Sequence, residues 1–210
     1  MLKELCVENF TLVPKGIKNG ANRLELCDNL AVGGTTVSIG VLEATLAYAQ
    51  EENVSVFAII RPRGGNFVYN DTELKIMGTD ILEFKKSGVD GIVLGCLTDQ
   101  QELDKDALED LLELCEGLEV TFHMAFDHIK KEKQLESLTW LFEHGVTRVL
   151  THGGPLDTPI EENLPYLKEL MEKSPLTILP GGGITFENAE KISQALNAKE
   201  LHGTKIVPLT

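Results

Sequence analysis

Two of the chain's four arginines flank Pro62 in IIRPRGGNFVYN (residues 59–70), where an apolar run breaks into a glycine pair. Guanidinium forks beside glycines that let backbone amides approach a ligand make a site for a small anion. Arg61, Arg63, Gly64 and Gly65 are therefore candidate anion ligands, and LPGGGI (179–184) adds Gly181, Gly182 and Gly183. The same arginines also have a purely structural use. They would neutralise Glu8, Glu25 and Asp127 if those acids are buried, because an unpaired buried ion is costly. Both uses are open at this level.

Cys6 and Glu8 stand two residues apart, as do Glu25 and Cys27. Residues two apart on a strand share a face, which leaves Leu5, Leu24 and Leu26 on the opposite one. Thr121, His123, Ala125 and Asp127 fall in phase in the same way, with Phe122 and Met124 opposite. Glu8, Glu25, His123 and Asp127 are thus candidate general acids or bases. His123 and Asp127 lie about 13 Å apart along an extended strand, so they form a dyad only if the chain turns after Ala125. Cys6 and Cys27 are the candidate metal ligands. Two inward thiolates on neighbouring parallel strands, about 4.8 Å apart, suit soft Cu(I) if the register aligns them. If Cys6 is instead level with Glu25, the thiols are diagonal and the case weakens. Packing as small buried hydrophobes is the other reading of both cysteines. Lys205 is out of phase with His202, which argues against a Schiff-base lysine.

Such residues need elements that bring them together. NGANRLEL (19–26), SGVDGIVL (87–94) and HGVTRVL (144–150) repeat one joint, in which a glycine ends a helix, a short polar turn follows and a strand begins. Period-two runs predict strands at 2–8, 23–27, 55–61, 91–95, 119–125, 148–152, 176–180 and 200–204. Amphipathic stretches such as LESLTWLFEHG lie between most of them, and their apolar stripes are core. Strict alternation implies parallel strands with right-handed crossovers. Eight strands, no GxGxxG after the first, and a glycine loop after the seventh favour a (β/α)8 TIM-type barrel over an open sheet. The chain stops almost at strand eight, so the final helix is expected to be lacking. Residues 1–210 read as one barrel domain, with no linker or composition shift inside it.

A formal charge of −14 argues against nucleic-acid binding, since phosphate contacts need a basic face. No window approaches the roughly 18 apolar residues of a membrane span. The N-terminus lacks the pattern of a signal peptide, and the four cysteines have no CxxC pairing, so a cytoplasmic protein with free thiols is expected. Assembly into a homo-oligomer is left open.

Taken in order, ELCVEN (4–9), GANRLELCDNLAVGGTTVSIGVL (20–42), IIRPRGG (59–65), GVDGIVLGCLT (88–98), TFHMAFD (121–127), RVLTHGG (148–154) and PGGGI (180–184) resemble the CutC copper homeostasis proteins over nearly the whole chain. The resemblance implies a cytoplasmic TIM-type barrel that binds Cu(I), with Cys6 and Cys27 at the family's two matching cysteine positions. Met124 stands where the family usually has an arginine in HRAFD, His152 where it has the serine of TSGG, and HGTKI from His202 where it has HxSAR. Both cysteine motifs match. The leading expectation is a copper-homeostasis protein, with the copper ion as its partner. The alternative is a barrel enzyme acting on a small anionic or phosphorylated metabolite.

Overall fold

The computed structural model describes residues 1–209. Eight strands alternate with seven α-helices: β1 (Leu2–Glu8), α1 (Val13–Lys18), β2 (Arg23–Cys27), α2 (Ile39–Glu51), β3 (Ser55–Ile59), α3 (Asp71–Ser87), β4 (Gly91–Leu94), α4 (Lys105–Leu114), β5 (Glu119–Phe122), α5 (Lys131–Glu143), β6 (Arg148–Thr151), α6 (Ile160–Lys173), β7 (Thr177–Pro180), α7 (Ala189–Leu196) and β8 (Glu200–Gly203). Every strand pairing is parallel, in the order β7-β6-β5-β4-β3-β2-β1-β8. The result is the expected TIM-type barrel, closed except at the β7/β8 seam.

The repeated joint behaves as its sequence predicts. Gly20, Gly88 and Gly145 all take positive φ (98°, 83° and 84°), the left-handed turn that stops a helix and aims the chain at the next strand. At its other end α3 begins with a capping box, in which Asn70 accepts from the Thr72 and Glu73 amides while Glu73 reaches back to the Asn70 amide.

Strand parity separates two apolar populations. Leu5, Leu24, Leu26, Val56 and Ile92 join the buried faces of the helices in the main core. Inside the barrel, Phe57, Ile59 and Val93 pack with Cys6 and Cys27 as a separate small cluster.

No helix follows β8 among the described residues. The chain instead runs across the seam. Thr185 bridges Lys205, the Phe186 amide donates to the Lys205 carbonyl at 2.8 Å, and Asn19 Nδ2 donates to the Pro208 carbonyl at 2.6 Å. Ile206 and Val207 are fully buried, so this tail covers core that an eighth helix would otherwise cover.

Two strands stop sooner than their alternation implied, β3 at Ile59 and β5 at Phe122. After β5 the His123 ring nitrogen Nδ1 accepts from the Ala125 amide at 3.2 Å, and residues Met124–His128 coil into a 3-10 turn. That turn ends the two-residue periodicity and carries Asp127 away from the face of His123.

Candidate functional site

The N-terminal half of the barrel interior is an ionic ladder. Glu4 on β1 accepts from Arg23 Nε on β2 and pairs with His202 Nδ1 on β8 at 2.8 Å. Arg23 also pairs with Glu200 at 2.6 Å, and Arg148 pairs with Glu119 at 2.5 Å and approaches Glu200 at 3.6 Å. The Phe57 ring lies between the two guanidiniums, 5.1 Å from Arg23 and 4.8 Å from Arg148. Burial pushes the Glu4 carboxyl up, but His202 and Arg23 outweigh it and bring it down to about 2. His202 is shifted the other way: burial opposes its charge, yet Glu25, Cys6 and Glu4 raise it well above the ordinary imidazole value.

The Glu4 shift fixes a sign for stability. A carboxylate depressed on folding stabilises the fold above its ordinary value of 4.5, and that contribution is lost as pH falls through about 2. Chemical denaturation of Glu4→Gln between pH 5 and pH 2 is therefore expected to show a flatter loss of stability than wild type. Parallel curves would remove Glu4 from the acid transition.

Above the ladder lie the thiols. Cys6 is level with Glu25, and Cys27 with Glu8. This is the diagonal register that would weaken the pair, yet the side chains converge. The two sulfurs are 3.7 Å apart, and Glu25 Oε1 lies 3.6 Å from Cys6 and 3.4 Å from Cys27. A hydrogen bond from Cys27 lowers the Cys6 thiol to about 5, with help from the His202 cation. The same hydrogen bond, reinforced by burial, pushes Cys27 up, and burial raises Glu25 to about 8. These directions favour a Cys6 thiolate, a Cys27 thiol and a protonated Glu25 near neutral pH. Glu4, Glu25 and His202 offer a second compact donor group that shares Glu25, but Arg23 is bound to that Glu4 and disfavours a cation there.

Gly34, in the loop after β2, closes the thiols off. Its φ is 88°, and a Cβ there would sit 3.2 Å from Cys27 Sγ. Only backbone separates that sulfur from the loop.

The other expected site residues are placed differently. Glu8 is exposed, and its carboxylate accepts from the Leu30 amide at 2.6 Å. Burial drives His123 down to about 3, aided by the Arg61 charge, so the ring is neutral, and its Nε2 has no partner. Asp127 gives it none: its carboxylate accepts from the Thr151 hydroxyl, the His152 amide at 2.9 Å and the Gly153 amide at 3.2 Å. His123 and Asp127 form no dyad, and Asp127 is instead a strut between the ends of β5 and β6.

Neither arginine of RPRGG neutralises Glu8, Glu25 or Asp127. Arg63 pairs with Glu73 on α3 at 2.5 Å and donates to the carbonyls of Gly64, Asn66 and Val68. Its donors and its charge are both taken, so it is removed from the anion candidates. Arg61 Nη1 donates to the carbonyls of Val32 and Gly34, both at 2.8 Å, and Nη2 to that of Gly65 at 2.9 Å. A Cβ on Gly64 would lie 2.7 Å from Val32, so its amide side is packed against that residue. Gly181 and Gly182 are covered as well, since added Cβ atoms would meet Leu150 at 2.6 Å and His152 at 2.7 Å. The Gly183 carbonyl accepts from Asn188 at 3.0 Å. His152 itself places Nδ1 3.0 Å from the Gly181 carbonyl and Nε2 3.0 Å from that of Thr158.

The counter-ions of the buried Glu4 and Glu25 are therefore Arg23 and His202, not the two arginines of the loop, while Arg148 serves Glu119 and Glu200. Arg23 and Arg148 stand at the first positions of β2 and β6, and the available signal was their phase with Glu25 and Leu150 on those strands.

The CutC family model matches residues 1–207. A CutC family protein of Enterococcus faecalis is 60% identical over 209 residues, covering 99% of this chain and 100% of that protein. The copper homeostasis protein cutC homolog of Homo sapiens is 40% identical over 203 residues, 96% of this chain and 72% of that protein. The crystal structure of the Streptococcus agalactiae CutC protein superposes with a TM-score of 0.96 at 46% identity, covering 99% of this chain and 100% of that one.

Proposed function

The chain belongs to the CutC family, and from that premise we propose that it serves copper homeostasis by holding Cu(I) between Cys6 and Cys27. The observation that carries this reading is the pair of sulfurs 3.7 Å apart; the Cys27 hydrogen bond draws the Cys6 thiol down towards its thiolate form. Thiolate is the soft donor that selects Cu(I) over harder ions. With metal–sulfur bonds of about 2.3 Å, such a spacing gives a bent S–metal–S angle of roughly 110° and leaves one side open to a third donor. Glu25 Oε1 lies close to both sulfurs, but burial raises its carboxyl to about 8, so the two sulfurs are the ligands and Glu25 a neighbour that keeps its proton. A four-coordinate Zn(II) site would need a further ligand, and His202 Nδ1 is bound to Glu4. Cu(I) with two thiolates carries one net negative charge, which the His202 cation beside them offsets.

Free thiols of this kind persist in a reducing compartment, and on that ground we place the protein in the cytoplasm. No helix among the described residues is long and apolar enough to cross a membrane.

The test is anaerobic titration with Cu(I) in reductant against a chromophoric Cu(I) chelator. One equivalent withheld from the chelator, and not displaced by excess Zn(II), is expected; no Cu(I) withheld would overturn the proposal. Proton release adds a second expected result. Above about pH 5 only Cys27 has a proton to lose, so uptake near neutrality should release one proton, rising to two at lower pH as Cys6 also becomes protonated. A pH-stat reading of two protons at pH 7 would contradict the thiolate assignment of Cys6.

A further inference from the structure

Arg61 is the charge that the rest of the molecule does not account for. It is 4% exposed and three of its N–H groups go to backbone carbonyls, but no carboxylate pairs with it among the described residues, and its Nε–H has no acceptor. A buried ion normally has a counter-ion. The neighbouring Arg63 has one in Glu73, although it is much the more exposed of the two.

Arg61 also lines a cavity of about 850 Å³ at the C-terminal mouth of the barrel. That volume falls within the range of small-molecule sites. The Phe67 ring forms part of the wall, 4.9 Å from the Arg61 guanidinium, and Met124 forms another part. Val32 and Leu156, two apolar side chains that remain 41% and 62% exposed, also line it. The polar remainder is held in place: Tyr166 donates to Gln134 at 2.7 Å, Gln134 donates to the carbonyls of Phe126 and Ile129, and Lys131 lies 3.9 Å from the Tyr166 ring. Asp127 is on the same wall, with its oxygens engaged by β6.

We propose that this cleft binds a small organic monocarboxylate, its charged end compensating Arg61 and its apolar body lying against Phe67, Met124 and Leu156. A monoanion is favoured over a phosphate dianion because the Asp127 carboxylate offsets one of the two cationic groups, Arg61 and Lys131, that line the cleft. An apolar body is favoured because exposed apolar side chains gain most from being covered. The site is separate from the thiol pair and does not depend on copper being bound there.

Phenylacetate is the probe, with phenylacetamide as its neutral counterpart and inorganic phosphate and chloride as anion controls. Isothermal titration or ligand-observed NMR on wild type should show saturable 1:1 binding of phenylacetate, at least about tenfold tighter than phenylacetamide or phosphate. Arg61→Met should weaken it at least about tenfold. Because Arg61 also ties down the loops at Val32, Gly34 and Gly65, Met124→Trp serves as a second variant that fills the cleft and leaves the guanidinium in place; it too should lose binding. Arg63→Met should bind phenylacetate within about twofold of wild type. Saturable binding should also raise Tm with ligand concentration in wild type and in Arg63→Met alone. The proposal fails if phenylacetate does not saturate, if phenylacetamide or phosphate binds as well, or if Met124→Trp binds like wild type.

Discussion

Cys27→Ser is expected to lower Cu(I) affinity at least about a hundredfold, because a hydroxyl cannot replace a soft thiolate and the remaining sulfur binds alone. Cys6→Ser should cost as much, and for an additional reason. It removes the thiol that is the more readily ionised of the two and leaves the more strongly protonated Cys27 as the sole sulfur donor. The two sulfurs act as a chelate, so the double variant should be little worse than either single one. Cys96→Ser and Cys115→Ser serve as controls. Both thiols are buried elsewhere in the main core and pushed upward by burial, and neither belongs to a compact donor group. Chelator competition gives the affinities, and the ultraviolet charge-transfer band of Cu(I)–thiolate should vanish with the affinity. Wild-type affinity in either single variant would reduce Cys6 and Cys27 to packing residues.

The largest effect on stability should come from Arg23→Met, at about 3–5 kcal/mol, the usual cost of stranding a buried charge by removing its partner. Arg23 compensates both Glu4 and Glu200 and stacks on Phe57. Taking it away leaves Glu4 to His202 alone. The urea midpoint should fall without a matching change in slope. Adding Glu4→Gln to Arg23→Met should cost much less than the sum of the two single changes, since the stranded charge is removed with its partner. A loss below about 1 kcal/mol for Arg23→Met would mean that water, and not Arg23, compensates Glu4.

The fold was legible because its signals are local. Period-two runs marked all eight strands, and glycines at 20, 88 and 145 needed only their own backbone geometry to announce helix ends. The inward facing of Cys6, Glu25 and Cys27 followed from parity in the same way. The charge pairing was not legible, because it joins strands whose register no local pattern fixes: Glu4 meets His202 across a sequence separation of 198. Arg23 and Arg148 begin their strands, and no motif around them ties them to Glu4 or Glu119. Asp127 was misplaced because alternation was extended through His123, whose ring caps a turn and so breaks that alternation. Arg63 was misread for want of a partner ten residues on, although Glu73 was visible as the third helical residue after the Asn70 cap.

The Gly34 loop has a consequence for rates. Cys27 is 1% exposed and Cys6 6%, the backbone of Gly34 lies over the Cys27 sulfur, and the Gly34 carbonyl is held by Arg61. With both sulfurs buried and that segment over one of them, an ion that enters past the loop also leaves past it. For an ion held there, the opening of the loop would add a step to release beyond the breaking of the bonds to sulfur. A small thiol in the surrounding solution would shorten the ion's stay by meeting the loop while it is open. Such a barrel would hand copper on no faster than its own backbone motion allows.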